Sequence, residues 1–375
     1  MRIGIEAQRI FRKKKHGMDF VALEAIREIQ KIDKSNEYFV FVAPGEDRCL
    51  EETQNMKIIE ISSFGGYFGW EQYALARELK RIKLDVLHCT SNTAPLFCNT
   101  KLVLTLHDII FLEKLASKNK SLYQKLGRIY RRFIVPKIIP KASKIITVSN
   151  FERDRIKEFL NIDNDRIISI YNGYSNHFQI KTNPKEVYSK YINTDNFLFF
   201  LGNTDPKKNT ERTLLAYEKY ISKKGERKEK ISNLLIADLK EKIIDDILQR
   251  NNIQYIKEYL VCPDYIPNTD LPYIYSGAKA FLYTSLRESF GIPILESMAC
   301  GCPIITSNTS AIPEVAGSGA ILIDPYNIEE IANMIETVIE DIEFREKTIG
   351  YGLERVKQFS WENTAKELIK LYNSL

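Results

Sequence analysis

The stretch "KAFLYTSLRESFGIPILESMACGCPIITS", residues 279–307, contains a whole folding unit in one line. KAFLYTS is apolar and aromatic enough to be a buried strand. LRESFGI follows as a loop. Pro293 suits the first position of a helix, where a missing N–H costs nothing. PILESMACG then reads as that helix, with Gly301 as its stop. PIITS returns as a second strand. A strand, a crossover helix and another strand make a parallel pair, the unit of a doubly wound α/β sheet.

The same alternation extends in both directions. Toward the N-terminus lie NFLFFLGN (strand), NTERTLLAYEKYISK (helix), ISNLLIA (strand), KIIDDILQRN (helix), YIKEYL (strand) and DLPYIYSGA (helix). AILID and a long helical region from Ile328 follow toward the C-terminus. The polar segment NHFQIKTNPKEVYSKY reads as a link. Before it an equivalent series runs from RIGIEA through EYFVFVAP, KIIEISS, WEQYALARELKRI (a helix), DVLHCT, KLVLTLHDI and KIITVS to IISIYNGYS. The expected fold class is therefore α/β, with two Rossmann-like doubly wound domains. The expected boundaries are 1–178, 179–357 and a final helix over 358–375.

With 375 residues, 44% of them hydrophobic, the chain can build two ordinary cores. A net charge of +5 is too mild to argue for nucleic acid. The run KKGERKEK, 223–230, reads as a solvated turn. Six scattered cysteines, mostly in apolar contexts, read as reduced thiols of a cytoplasmic protein. Cys300 and Cys302 have no nearby histidine or second pair, so no metal is expected on them. No apolar run is long enough to span a membrane, and MRIGIEAQRIF does not read as a secretory signal. Neither G-x-S-x-G nor G-x-G-x-x-G occurs, which argues against a serine hydrolase and a dinucleotide-binding unit of the usual kind.

In doubly wound sheets, ligands bind beyond the carboxyl ends of the strands. The loops there carry the candidate residues. Glu288 falls in the loop after KAFLYTS, and Glu296 in the first turn of the helix. Ser289, Phe290, Gly291 and Ile292 lie between them, at a helix start whose amides suit phosphate. Carboxylates accept hydrogen bonds from sugar hydroxyls, so this loop offers phosphate donors flanked by sugar acceptors. The loop FLGNTDPKKNTERTLLAY brings Gly202, Asn203, Lys207, Lys208 and Arg212, cations suited to a diphosphate. SNTSAIPEVAGSG is a further helix start, with Pro313 at its first position. In LVLTLHDIIFL, His107 and Asp108 end a strand at the ligand side, whereas His88 is placed mid-strand and reads as packing.

RESFGIPILESMACGCPIITSNTSAIPEVAG, FLGNTDPKKNTERTLLAY, LTLHDIIFL, TVSNFERDRI, YNGYSNHF and FSWENTAKELIKLY, taken in this order, resemble the retaining family-4 glycosyltransferases of the GT-B fold. The likeness is strongest to a bacterial mannosyltransferase-like subgroup. It implies two domains facing across a cleft, an acceptor side in the N-terminal domain, a nucleotide-sugar side in the C-terminal domain, and a last helix returning to the N-terminal domain. It further implies that Glu296 holds ribose hydroxyls, Glu288 contacts the donor sugar beside the Phe290 and Gly291 amides, and Lys208 neutralises the diphosphate. His107 would lie near the transferred sugar. Gly17, in KKHGMDF, would allow close approach of the loop to phosphates or acceptor. Tyr265 belongs to VCPDYIPNTDLPY, the loop expected at the nucleotide base. Asn203 departs from the pattern, since many relatives carry arginine there; Lys207 or Arg212 would substitute, or one cation would suffice.

The implied reaction moves a hexose from GDP-mannose or a UDP-sugar to a glycan or lipid-linked saccharide, in surface polysaccharide synthesis. It proceeds with retention and without cofactor or metal. The alternatives are a sugar-nucleotide epimerase and a non-catalytic binder of nucleotide sugars. Asp163-Asn164-Asp165 resembles a metal-binding pair, but its place between a helix and a strand predicts a turn. Residues 117–144 hold nine Lys/Arg and no Asp or Glu. Tyr123, Leu126, Ile129, Tyr130, Phe133 and Ile134 interleave with them, the pattern of a helix lying on an anionic membrane.

Overall fold

In the computed structural model, which describes residues 1–113, 122–263 and 265–375, the chain divides into two compact units. One comprises Met1–Gly173 with Ser360–Leu375, the other Tyr174–Phe359.

The first unit is built on seven parallel strands: β1 (Arg2–Glu6), β2 (Glu37–Val42), β3 (Met56–Glu60), β4 (Val86–Cys89), β5 (Lys101–Thr105), β6 (Ala142–Thr147) and β7 (Ile167–Ser169). Their order across the sheet is β3-β2-β1-β4-β5-β6-β7. The order reverses between β1 and β4, so the loops after these two strands diverge and leave a crevice. The central strands are apolar on both sides: Ile3, Ile5, Val40, Val86, Leu87, Val103 and Leu104 are all buried. Such continuous burial is what a parallel sheet covered on both faces requires. The helix Trp361–Asn373 packs on the helix Gly17–Ile32, and its Ala365, Leu368 and Tyr372 enter the same core as Ile5 and Ile26. Ser360 caps that C-terminal helix by accepting from the Asn363 amide at 3.1 Å.

The second unit repeats the plan with β8 (Phe197–Leu201), β9 (Asn233–Ala237), β10 (Leu260–Val261), β11 (Phe281–Tyr283), β12 (Ile304–Ser307) and β13 (Ile321–Ile323). All are parallel, in the order β10-β9-β8-β11-β12-β13. Here the reversal falls between β8 and β11. One core holds Leu198, Phe200, Leu282 and Ile305 under Tyr217, Tyr220 and Ile335. On the other side Phe199 stacks on Phe281 at 5.4 Å, with Tyr275 edge-on to both.

Three local expectations are corrected. YIKEYL is not a strand: Gln254–Tyr259 forms a 3₁₀ helix, and only Leu260–Val261 joins the sheet. Ile256 alone is fully buried there, as one side of a short helix allows. WEQYALARELKRI is helical but not regular, since Trp70–Leu75 is a π-helical turn ahead of the helix Ala76–Arg81. The run 223–230 is not solvated throughout. Lys224 is 3% exposed and ion-paired with Glu229 at 2.6 Å and with Glu340. Asp163–Asp165 lies in a short turn, Asn164–Arg166 being a single 3₁₀ turn. Among the described residues no helix is long and apolar enough to cross a membrane.

Candidate active site

Three loops meet at the carboxyl edge of the second sheet, around the β8/β11 reversal. Lys208 follows β8 in a short 3₁₀ turn, Pro206–Lys208, which Asp205 opens by accepting from the Lys207 amide. Glu288 lies in the loop after β11. Their side chains form an ion pair at 2.6 Å although 80 residues separate them. The pair is only partly accessible, at 24% for Lys208 and 12% for Glu288. The Tyr283 hydroxyl stands 3.5 Å from the same ammonium.

The loops are joined by backbone as well. Leu286 N donates to Lys207 O at 2.7 Å, and the Glu288 amide donates to Ser310 Oγ at 2.9 Å. Thr309 Oγ1 donates to Leu286 O at 3.0 Å. Beneath them the Thr213 and Thr284 hydroxyls meet at 2.5 Å, and Asn209 Nδ2 donates to Pro325 O at 2.8 Å. Tyr283, Thr213, Thr284, Thr309 and Ser310 were not singled out from sequence. Their signals were positional: Tyr283 and Thr284 are at the end of β11, Thr309 and Ser310 in the loop after β12, and Thr213 in the first turn of the helix Thr210–Glu226.

The glycines have separate reasons. Gly291 is the N-cap of the helix Ile292–Ala299 at φ +98°, a backbone state that favours glycine. At Gly202 a Cβ would stand 2.7 Å from that of Leu239, so packing demands glycine there. Beside Gly17, which begins the first helix, there is open space. Phe290 is buried and meets Phe359 edge-on at 6.0 Å. Ser289 and Ile292 flank it, half-buried, at the helix start.

Glu296 sits one turn into that helix, half-buried. Burial pushes its carboxyl up to about 8. No described residue donates a hydrogen bond to it. This gives stability a definite pH dependence. The ordinary value is 4.5, so between about 4.5 and about 8 the unfolded chain is ionised where the folded chain is not. The associated stability is full below about 4.5 and is lost as pH rises through about 8. Glu296→Gln is expected to flatten part of that decline in urea unfolding at pH 5 and pH 9. An unchanged slope would mean that the free protein carries Glu296 ionised. Glu6, raised to about 7 mainly by burial, retains the remainder.

Other candidates of the second unit make their own contacts. Asn203 is exposed, and its Oδ1 accepts from the Asp205 amide at 2.8 Å. Arg212 donates to Asn209 Oδ1 at 3.1 Å and lies over the Tyr326 ring at 5.0 Å. Tyr265 is 67% exposed. In the first unit His107 follows β5 and is buried. Its Nε2 donates to Thr90 O at 3.0 Å, so that nitrogen holds the proton, and burial lowers its pKa. His88 is a packing residue. It bonds Tyr372 Oη at 2.6 Å and Thr105 Oγ1 at 2.7 Å, and burial brings it down to about 3.

Two parallel sheets in this order, with polar loops on their carboxyl edges, define a GT-B fold. The Anabaena protein HepE, solved in complex with UDP and glucose, superposes over all of both chains at a TM-score of 0.72 and 16% identity. WaaG, a glycosyltransferase involved in lipopolysaccharide biosynthesis, covers 99% of each chain at a TM-score of 0.72 and 12% identity.

The chain belongs to the family-4 glycosyltransferases. Residues 17–176 match the profile described as "Glycosyltransferase Family 4", and residues 185–355 match "Glycosyl transferases group 1". O-antigen chain mannosyltransferase B of Escherichia coli is 32% identical over 244 residues, 63% of this chain and 62% of that protein's length. O-antigen chain mannosyltransferase RfbU of Salmonella typhimurium is 25% identical over 312 residues, 78% of this chain and 77% of its own.

Proposed function

We propose that the protein is a retaining hexosyltransferase that takes its sugar from a nucleoside-diphosphate donor and passes it to a glycan or lipid-linked saccharide. The observation that carries this reading is the Lys208–Glu288 pair at a helix start on the β8/β11 reversal. A cation beside helix-start amides stabilises a departing diphosphate. Glu288 would hold the donor sugar while the anomeric carbon gains oxocarbenium character. Glu296, with no donor on its carboxyl among the described residues, would pair with ribose hydroxyls, which both donate and accept. The departing phosphate would take the acceptor's proton on the same face, giving retention. Mannose, with GDP as carrier, is favoured by likeness to the O-antigen mannosyltransferases. That HepE was solved with UDP-glucose supports the wider class of donor.

The first test is a thermal shift against GDP, UDP, ADP and dTDP. One of them should stand clear, with GDP expected; ligand at ~100 times its Kd adds about 2.7 kcal/mol. A shift with UDP alone would overturn the mannose assignment, and no shift would remove the roles given to Lys208 and Glu296. Donor turnover without acceptor would favour an epimerase.

The helix Leu122–Ile138 supports a second element, contact with anionic membrane. Leu126, Ile129 and Phe133, at helical spacing, are 58%, 63% and 56% exposed, and Lys125, Arg132 and Lys137 are exposed with them. The interleaving expected from sequence is narrower than proposed, because Ile134 is in the core and Tyr130 bonds Glu71. Tyr123 and residues 117–121 lie outside what can be described side chain by side chain. Flotation with anionic vesicles should depend on this face and be reduced by Ile129→Glu with Phe133→Glu. Flotation that is equal on neutral vesicles would rule the contact out.

A further inference from the structure

The four residues after β4, Thr90 to Thr93, are polar and yet buried. They stand at the carboxyl edge of the first sheet, beside the β1/β4 reversal. Buried polar groups need partners, and each of these side chains has one on a different part of the unit. Thr90 Oγ1 donates to Glu6 O at 2.8 Å, across the reversal. Ser91 Oγ accepts from Arg9 at 3.2 Å. Thr93 Oγ1 donates to the Glu71 carboxylate at 2.5 Å. Asn92 Oδ1 accepts from the His107 amide at 2.7 Å.

Asn92 is the least ordinary of the four. Its φ is +68°, in the left-handed region, where asparagine is one of the few side chains tolerated. Its own amide donates to O of Thr105, the last residue of β5, at 3.0 Å. The pairing of β4 with β5 ends at Cys89 and Leu104. Beyond that point the Asn92 side chain supplies the carbonyl that the ladder no longer offers to His107.

The ring of His107 is held by the same loop. Nε2 donates to Thr90 O at 3.0 Å, which leaves Nδ1 with a lone pair and no proton. Burial outweighs the carboxylates of Asp108 and Asp19 and keeps the ring uncharged; Arg9 acts in the same direction as burial, and His88, also uncharged, lies near. Nδ1 has no hydrogen-bond partner among the described residues, and it is not one of the atoms shut off from solvent. Such a lone pair repels phosphate and carboxylate oxygens and accepts from a hydroxyl.

We propose that Asn92 is a positioning residue for transfer: it fixes His107 so that Nδ1 accepts a hydrogen bond from a hydroxyl of a saccharide substrate. The hydroxyl rests on the hexosyltransferase reading; the fixed tautomer does not. The test reads the His107 tautomer at pH 8 by nitrogen NMR on protein labelled in its four histidines, with His107→Gln to assign the signal, and steady-state transfer beside it. The wild type should carry the proton on Nε2 alone. Asn92→Gly tolerates the left-handed backbone and removes only the acceptor. It should give a mixture of tautomers and lower kcat/KM by about tenfold, the scale of one buried hydrogen bond, mostly through KM. A rise in the donor's KM or in the acceptor's supports the proposal and names the source of the hydroxyl. Asn92→Asp restores the acceptor and should recover both tautomer and turnover. Thr93→Val is the control. It loses a buried bond to Glu71 in the same loop, so Tm should fall while tautomer and kcat/KM hold.

A proton on Nδ1 in the wild type, an unchanged tautomer and kcat/KM in Asn92→Gly, or equal kinetic losses in Asn92→Gly and Thr93→Val would overturn the proposal. If Asn92→Gly does not fold, the wild-type tautomer and the recovery in Asn92→Asp still decide. The tautomer is read without substrate, so it fails separately from the hexosyltransferase reading.

Discussion

Lys208→Ala should lower kcat by about 10²–10³-fold, the usual loss when one preorganised group facing developing charge is removed. The donor should still bind through Glu296 and the helix-start amides, so KM should change less than kcat. Glu288→Ala should cost a similar factor. Because the two side chains form one ion pair at 2.6 Å, the double variant should fall far short of the product of the single losses. The measurement is steady-state transfer with the donor identified by the nucleotide screen. Near-normal turnover in either single variant would end the assignment.

Gly173→Ala should lower stability sharply. A Cβ there would stand 2.2 Å from Trp361 N and 2.4 Å from the carbonyl carbon of Ser360. These are backbone atoms at the start of the C-terminal helix, which cannot rotate aside. Thr364 Oγ1 donates to Tyr171 O at 2.6 Å, so the helix start is held against this segment. A cost of about 3 kcal/mol, the upper end of ordinary overpacking, follows. That corresponds to a Tm lower by about 6–12 °C for a unit of this size. Gly127→Ala is the control: its Cβ would meet nothing within 4 Å in a helix, so stability should hold or rise. An unchanged Tm for Gly173→Ala would mean that the C-terminal helix docks differently.

Much of the fold was legible because its signals are local. Near-continuous apolar runs such as FLFFL mark strands buried on both faces, and Pro293 and Gly301 bracket a helix through backbone constraints they carry anywhere. The same locality explains the misreadings. In YIKEYL the aromatic and branched residues suit a strand, yet only Leu260 and Val261 lie alongside β9. Tyr130 and Ile134 match the pattern of a membrane face, but which side of a helix faces the core depends on what packs beneath it.

The sequence by itself determined that the chain alternates strands and helices in two series, which loops fall at strand ends, and which of their residues carry charge. Only the tertiary structure decided that Lys208 and Glu288 touch. Their meeting depends on β11 pairing with β8 at the sheet's reversal, a long-range choice made by packing against both sheet faces. It likewise decided that Glu296 lies where water cannot fully stabilise its charge. Each of these follows from the burial and distance of groups far apart in the chain, which no local pattern encodes.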